Sequence, residues 1–182
     1  MRNFYQLTQG LDVMPLMVAL QSQPELWNQN DLRRVYPDSP HAAVDDIWLR
    51  FNEVNINDPT PVIDDKECIN YPAFAQLPQA RQIIFAIMGS VQGERLGRCL
   101  ITRLAPGETI TPHKDGGAPA TYYERYHIVL QGHPGAIFRC GDETVSMRTG
   151  EAWWMDNSLE HEVVNNSDSD RIHLICDIKA CQ

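Results

Sequence analysis

The chain has 182 residues, of which 43% are hydrophobic and 21% charged, and carries a formal net charge of -9 at pH 7. That length suits one domain with a substantial core and is short for two. Its negative charge repels phosphate backbones, so no nucleic-acid partner is expected.

Taken in order, the apolar run at residues 11–20 is broken by Asp12 and Pro15 and is too short to cross a bilayer. It reads as a helix over residues 12–21, with Pro15 in the first turn where its missing N–H costs nothing. With no membrane span and no small-residue cleavage pattern, a cytoplasmic protein is expected. Residues 45–51 alternate in the manner of a strand, and the Pro-, Asp- and Asn-rich stretch 52–72 reads as a long loop. A second helix is expected over residues 78–91, where Ile83, Ile84, Ile87 and Met88 form one apolar face.

Near residue 93 the texture changes to β. Strands are expected at 95–104, 108–113, 122–131, 136–140, 143–148, 151–155, 161–165 and 171–178, with no helices between them. Pro106-Gly107, Gly141-Asp142 and Thr149-Gly150 read as turns. Such a run of short strands suggests a sandwich or jelly roll. The chain thus reads as a single domain: a mixed α/β extension over residues 1–92, its helices packing on one sheet, and a mainly β jelly-roll core over 93–182. The five cysteines (Cys68, Cys99, Cys140, Cys176 and Cys181) lack close C-x-x-C spacing, which argues against a zinc site or a secreted disulfide framework.

The chemistry lies in the second half. His113 and Asp115, two residues apart at a strand end, point to the same side and can converge on one ion. His161, 46 residues beyond Asp115, can return from a distant strand as third ligand. Two imidazoles and one carboxylate suit iron(II), leaving positions open for a bidentate oxoacid and dioxygen. Arg171, one strand further on, can grip the distal carboxylate of a dicarboxylate; alone, it reads equally well as a surface ion pair with Asp168 or Asp170. A lone H-x-D is weak; the four residues together are not. Trp153 and Trp154 face opposite ways in one strand, and either is expected to pack in the core. Glu160 and Glu162 should point away from the metal.

Here the sequence resembles a known family. Arg103-Leu104-Ala105-Pro106-Gly107, His113-Lys114-Asp115, Arg125-Tyr126-His127-Ile128-Val129-Leu130 and Met155-Asp156-Asn157-Ser158-Leu159-Glu160-His161-Glu162-Val163, followed by Arg171 and Ile175-Cys176-Asp177, look like aspartyl/asparaginyl β-hydroxylases. The likeness covers roughly residues 95–178, with a weaker echo at Ser39-Pro40-His41 and at Ile47-Trp48-Leu49-Arg50. It implies a double-stranded β-helix (cupin-like), Fe(II), 2-oxoglutarate and O2. The implied reaction hydroxylates an unactivated C–H of an amino acid or peptidyl side chain, with succinate and CO2 as co-products. His113 and His161 match the family's metal histidines, Arg171 its oxoacid-anchoring arginine, and Arg125 and His127 an Arg-x-His pair that also contacts the oxoacid. His41, Asp46 and Arg50, in the weaker echo, are candidates for substrate contacts. Asp115 adds a carboxylate ligand that animal members lack. Tyr123 stands where those members carry an arginine that holds an acidic substrate, so an aspartyl substrate is not implied. Two rivals remain: a cupin-type dioxygenase or isomerase that does not use 2-oxoglutarate, and a non-catalytic jelly roll binding a metal or carboxylate.

Overall fold

The computed structural model describes residues 2–54 and 65–181. In the first half, β1 (Phe4–Thr8) precedes α1 (Met14–Ser22), a 3-10 turn at Pro24–Leu26, α2 (Leu32–Val35), β2 (Val44–Phe51), β3 (Ile69–Asn70), α3 (Pro72–Gln76) and α4 (Pro78–Ser90). The second half runs through β4 (Gly93–Leu104), β5 (Thr109–His113), α5 (Gly117–Tyr122), β6 (Glu124–Gln131), β7 (Ala136–Cys140) and β8 (Glu143–Val145). It ends with β9 (Ala152–Met155), β10 (His161–Asn165) and β11 (Arg171–Ala180).

These strands form two antiparallel sheets, one ordered β1-β9-β6-β11-β4-β2-β3 and the other β5-β10-β7-β8. Together they make a jelly roll. Its inter-sheet core joins Phe4, Val44, Leu104, Val129, Trp153 and Met155 of the large sheet to Ile110, Phe138, Cys140 and Val163 of the small one. The outer face of the large sheet presents Ile47, Leu49, Ile101, Ile128, Leu174 and Cys176, covered by Leu16 and Leu20 of α1 and by Ile84 and Ile87 of α4. The apolar stripe expected on the second helix therefore meets the outer sheet face. Gly141, with φ 57°, opens the β7–β8 hairpin in a conformation that favours glycine.

The long strands and both longer helices fall where the sequence pattern put them, within a few residues. The differences have local causes. A helix does stand between the core strands: α5, built from Gly-Ala-Pro-Ala-Thr-Tyr, has weak intrinsic preference and no apolar periodicity. The expected strand 122–131 therefore begins at Glu124, and the strand from 143 stops at Val145. β1 is an edge strand paired only to β9, with Tyr5 66% exposed, so its burial does not alternate cleanly. Of the expected 52–72 loop, residues 55–64 lie outside the described residues, and β3 follows them. The extension does more than buttress, since β1, β2 and β3 all join the large sheet. All five cysteines are free. Among the described residues no helix is long and apolar enough to cross a membrane.

Candidate active site

Two sheets facing each other enclose a cavity of about 90 Å³ whose walls include His113, Asp115, His161, Arg125, His127, Phe138 and Arg171. It continues into a wider outer chamber of about 270 Å³, bounded by Tyr36, His41, Phe51, Arg98, Lys114 and Ala120.

At the junction, His113 of β5 and His161 of β10 are directly paired in the ladder. Asp115 lies just beyond the end of β5, and one ligand atom from each of the three falls within 4.8 Å of the others. His113 Nδ1 is 2.7 Å from Thr111 O and His161 Nδ1 is 2.9 Å from Leu159 O. A carbonyl accepts only from an N–H, so both Nδ1 atoms carry the proton and both Nε2 lone pairs are left for a ligand. His113 Nε2 is buried and has no hydrogen-bond partner. Two imidazole nitrogens and one carboxylate converging beside open space fit a divalent iron that keeps vacant positions. Burial works against the charge of Asp115, but Arg125 and the two histidines outweigh it and hold its carboxyl below the usual range. Burial likewise lowers His161, against the pull of Asp115.

Arg171 sits deeper, at the start of β11, with 4% of its surface exposed. Its Nη2 donates to His173 Nδ1 at 3.0 Å, and its guanidinium lies 5.5 Å from the centre of the Phe138 ring. Among the described residues no carboxylate is within ion-pair distance of it, and burial pushes its pKa down to about 9. An unneutralised guanidinium in a cavity calls for an anion. The surface pairing with Asp168 or Asp170 does not occur. Beside Arg171, His127 Nε2 is also buried without a partner.

Arg125 is brought to the site too, but each of its three nitrogens already donates to a carboxylate. Nη1 donates to Asp115, while Nε and Nη2 donate to Asp177 at 2.8 and 3.0 Å. Tyr123, by contrast, turns away: it is buried, packs on Gly97 and donates its hydroxyl to Lys66 O at 2.9 Å. Trp153 sits in the inter-sheet core and Trp154 against the outer-face cluster; neither lines the cavity. Glu160 and Glu162 both pair with Arg139 rather than the metal side. Of the weaker echo, His41 packs edge-on to the His113 ring at 4.9 Å, whereas Asp46 is paired to Arg33 and Arg50 binds Asn70 and Cys68 O.

Sequence reasoning missed Arg33, Arg98 and Phe138 as cavity walls, and gave Asp177 no role. Asp177 was signalled by parity, since it shares a face with Arg171 and His173 on β11. Nothing local marked Arg33, which reaches the cavity from a four-residue helix.

The buried histidines carry a pH consequence. His127 and His173 are held well below the ordinary histidine value, by burial first and then by the charge of Arg171. A folded pKa below the unfolded one means the unfolded chain takes up protons first. Stability is therefore complete above about pH 6.5 and drains as pH falls below it, by up to about 1.4 kcal/mol per ring per pH unit. The urea midpoint of the metal-free protein should fall steadily from pH 7 to pH 5; a flat profile would contradict the buried neutral rings.

Known proteins share sequence and fold with this chain. The sequence model of the Aspartyl/Asparaginyl beta-hydroxylase family matches residues 60–180. L-proline cis-3-hydroxylase 1 of a Streptomyces species is 30% identical over 106 residues, covering 57% of this chain and 35% of that protein. L-proline cis-4-hydroxylase of Rhizobium meliloti is 31% identical over 80 residues, 44% of this chain and 29% of that protein. The chain thus spans about a third of the length of these curated relatives. A 2OG-Fe(II) oxygenase family oxidoreductase from Burkholderia pseudomallei superposes with TM-score 0.53 at 16% identity, covering 75% of this chain and 67% of that one, a likeness of fold. With two thirds of its length matched by the family's own sequence model, the chain belongs to the aspartyl/asparaginyl β-hydroxylase family.

Proposed function

We propose that the protein is an Fe(II)/2-oxoglutarate-dependent dioxygenase that hydroxylates an unactivated C–H bond of a free amino acid. The observation that carries this reading is that the His113, Asp115 and His161 cluster and the unneutralised Arg171 line one cavity. His113, Asp115 and His161 would hold the iron, and Arg171 would hold the distal carboxylate of 2-oxoglutarate, with His127 Nε2 beside it. When bound, the iron and the oxoacid supply the oxygen-activating chemistry: one oxygen atom enters the substrate as hydroxyl, and 2-oxoglutarate leaves as succinate and CO2.

The protein's own share is placement. The Phe138 ring and the apolar inter-sheet core give Arg171 a low-polarity surround at the inner end of the cavity, which strengthens its hold on a carboxylate. The outer chamber offers Tyr36, Phe51 and Ala120 to an apolar body. Lys114 also borders it, while Arg33 is paired with Asp46 and Arg125 with Asp115 and Asp177. The proline-hydroxylating relatives support a free amino acid over a peptide. A cytoplasmic setting belongs to the same reading and is supported by the five unpaired cysteines.

The test is succinate release by the purified protein supplied with Fe(II), ascorbate, oxygen and 2-oxoglutarate. A panel of free amino acids, L-proline first, is set against peptides containing the same residues. A free amino acid should raise succinate several-fold over the uncoupled rate, in step with hydroxylated product. Turnover that persists without 2-oxoglutarate would turn the assignment to a cupin-type dioxygenase. Stimulation by peptides alone would remove the free amino acid from it.

A further inference from the structure

We propose that Arg125 and Asp177 form a strut that positions Asp115 for the metal, so that Arg125 serves the metal carboxylate rather than the oxoacid. The inference rests on the iron reading above. It begins from where Asp115 stands. The last paired residue of β5 is His113, opposite His161 in the ladder, and Asp115 follows two residues later, before α5 begins. A carboxylate on a connecting segment needs a side-chain partner to hold it in one orientation.

Arg125 supplies that partner. Its Nη1 donates to Asp115 Oδ2, the oxygen that lies 3.9 Å from His161 Nε2. From the opposite edge of the guanidinium, Nε and Nη2 donate to the two oxygens of Asp177 at 2.8 and 3.0 Å. Asp177 is the direct cross-strand neighbour of Arg125 in the β11–β6 ladder. These two strands stand in the middle of the large sheet, flanked by β9 and β4. Asp177 is 2% exposed, and the side chain of Arg125 is 15% exposed. A planar fork gripped bidentately cannot swing, so the third nitrogen is fixed in space, and Asp115 with it. One cation between two carboxylates also leaves a single net negative charge to face a dication. The resemblance would have Arg125 on 2-oxoglutarate, yet three of its five N–H groups, one on each nitrogen, already donate to carboxylates. Arg171, by contrast, has no carboxylate within reach among the described residues.

Outer partners of this kind are worth about 10- to 100-fold in metal affinity. Anaerobic titration of the full-length protein with Co(II), followed by its visible absorption, reads the strut directly. Asp177→Asn should raise the Co(II) dissociation constant about tenfold or more and alter the absorption bands. Arg125→Lys keeps the charge but loses the fork, and should do the same. In both variants the affinity of the Co(II)-saturated protein for 2-oxoglutarate should stay near that of the wild type. Should Asp177→Asn fail to fold by circular dichroism, Arg125→Lys decides alone. Wild-type Co(II) affinity in a folded variant overturns the proposal. So does unchanged metal affinity with a collapse of 2-oxoglutarate binding, the pattern of an oxoacid anchor. Retention of Co(II) by His113→Ala would instead bring down the metal assignment itself.

Discussion

Replacing Arg171 with methionine is expected to raise the melting temperature of the metal-free protein and, in the same molecule, to abolish its response to 2-oxoglutarate. The two effects share one cause. Arg171 is 4% exposed, its hydrogen bond goes to the neutral ring of His173, and the Phe138 face lies 5.5 Å away. A guanidinium so placed has given up its hydration and received little in return, which is why burial pushes its pKa down to about 9. Exchanging such a buried charge for an apolar side chain of similar volume stabilises a fold by about 1–4 kcal/mol. For a chain of this size each kcal/mol moves the melting temperature by about 2–4 °C. In binding the balance reverses. A carboxylate entering the cavity loses its partner, at a cost of about 2–5 kcal/mol, or roughly thirtyfold to several-thousandfold in affinity. Thermal unfolding of wild type and Arg171→Met, each with and without Co(II) and 2-oxoglutarate, reads both effects in one experiment. A variant that melts lower than wild type, yet keeps the stabilisation by 2-oxoglutarate, would remove Arg171 from the oxoacid site.

The same strand shows how much of the molecule was legible beforehand. Alternation along β11 is plain in Arg171-Ile172-His173-Leu174-Ile175-Cys176-Asp177-Ile178 and identifies a strand. By itself it assigns the apolar face to the core and the polar face to water. Here both faces are covered: Ile172, Leu174, Cys176 and Ile178 lie under the helices, while Arg171, His173 and Asp177 look into the jelly roll. Period reveals the faces of a strand but not what covers each, because the covering layer comes from residues far away in the chain. His113, Asp115, His161 and Arg171 were readable because their chemical types are rare in combination. Arg125 and His127 needed the family likeness, and the task of Arg125 emerged only from its partners. Tyr123 shows the limit of strand parity. Counting back from Arg125 at strand spacing puts it on the cavity face, but β6 starts at Glu124 and α5 ends just before, so strand parity does not reach Tyr123. Arg33 and Arg98 reach the outer chamber from the first hundred residues, where no local pattern signals a cavity a sheet away, whereas His41, which also borders it, stood out only through the weaker family echo.

His113→Ala and His161→Ala should each eliminate iron(II) binding at micromolar protein, and with it both succinate release and the weak visible band expected when iron(II) and 2-oxoglutarate bind together without oxygen. The loss must exceed the 10- to 100-fold of an outer partner, since a coordinate bond disappears rather than its support. Neither ring is replaceable locally. Each is oriented by its own Nδ1–H bond to the carbonyl two residues before it, so a neighbouring side chain would have to arrive with the same backbone geometry. His133 lies on the far loop between β6 and β7, and His173 is turned toward Arg171. Three donors within 4.8 Å act as a unit, so the effects should be far from additive: His113→Ala with His161→Ala together should do no more damage than either alone. Additive, partial losses would instead describe two histidines contributing separately to a diffuse polar surface. Full-strength charge transfer in either single variant would place the metal elsewhere. The fold should barely report His113→Ala, because that ring stands at a strand end, half-buried, and its removal leaves the inter-sheet core of Ile110, Phe138 and Val163 in place. His161 is 5% exposed beside Phe138, so His161→Ala should also lower stability. For His113→Ala, a melting temperature equal to that of the metal-free wild type, beside a spectrum without the band, is the pairing that assigns the side chain to the metal and not to stability.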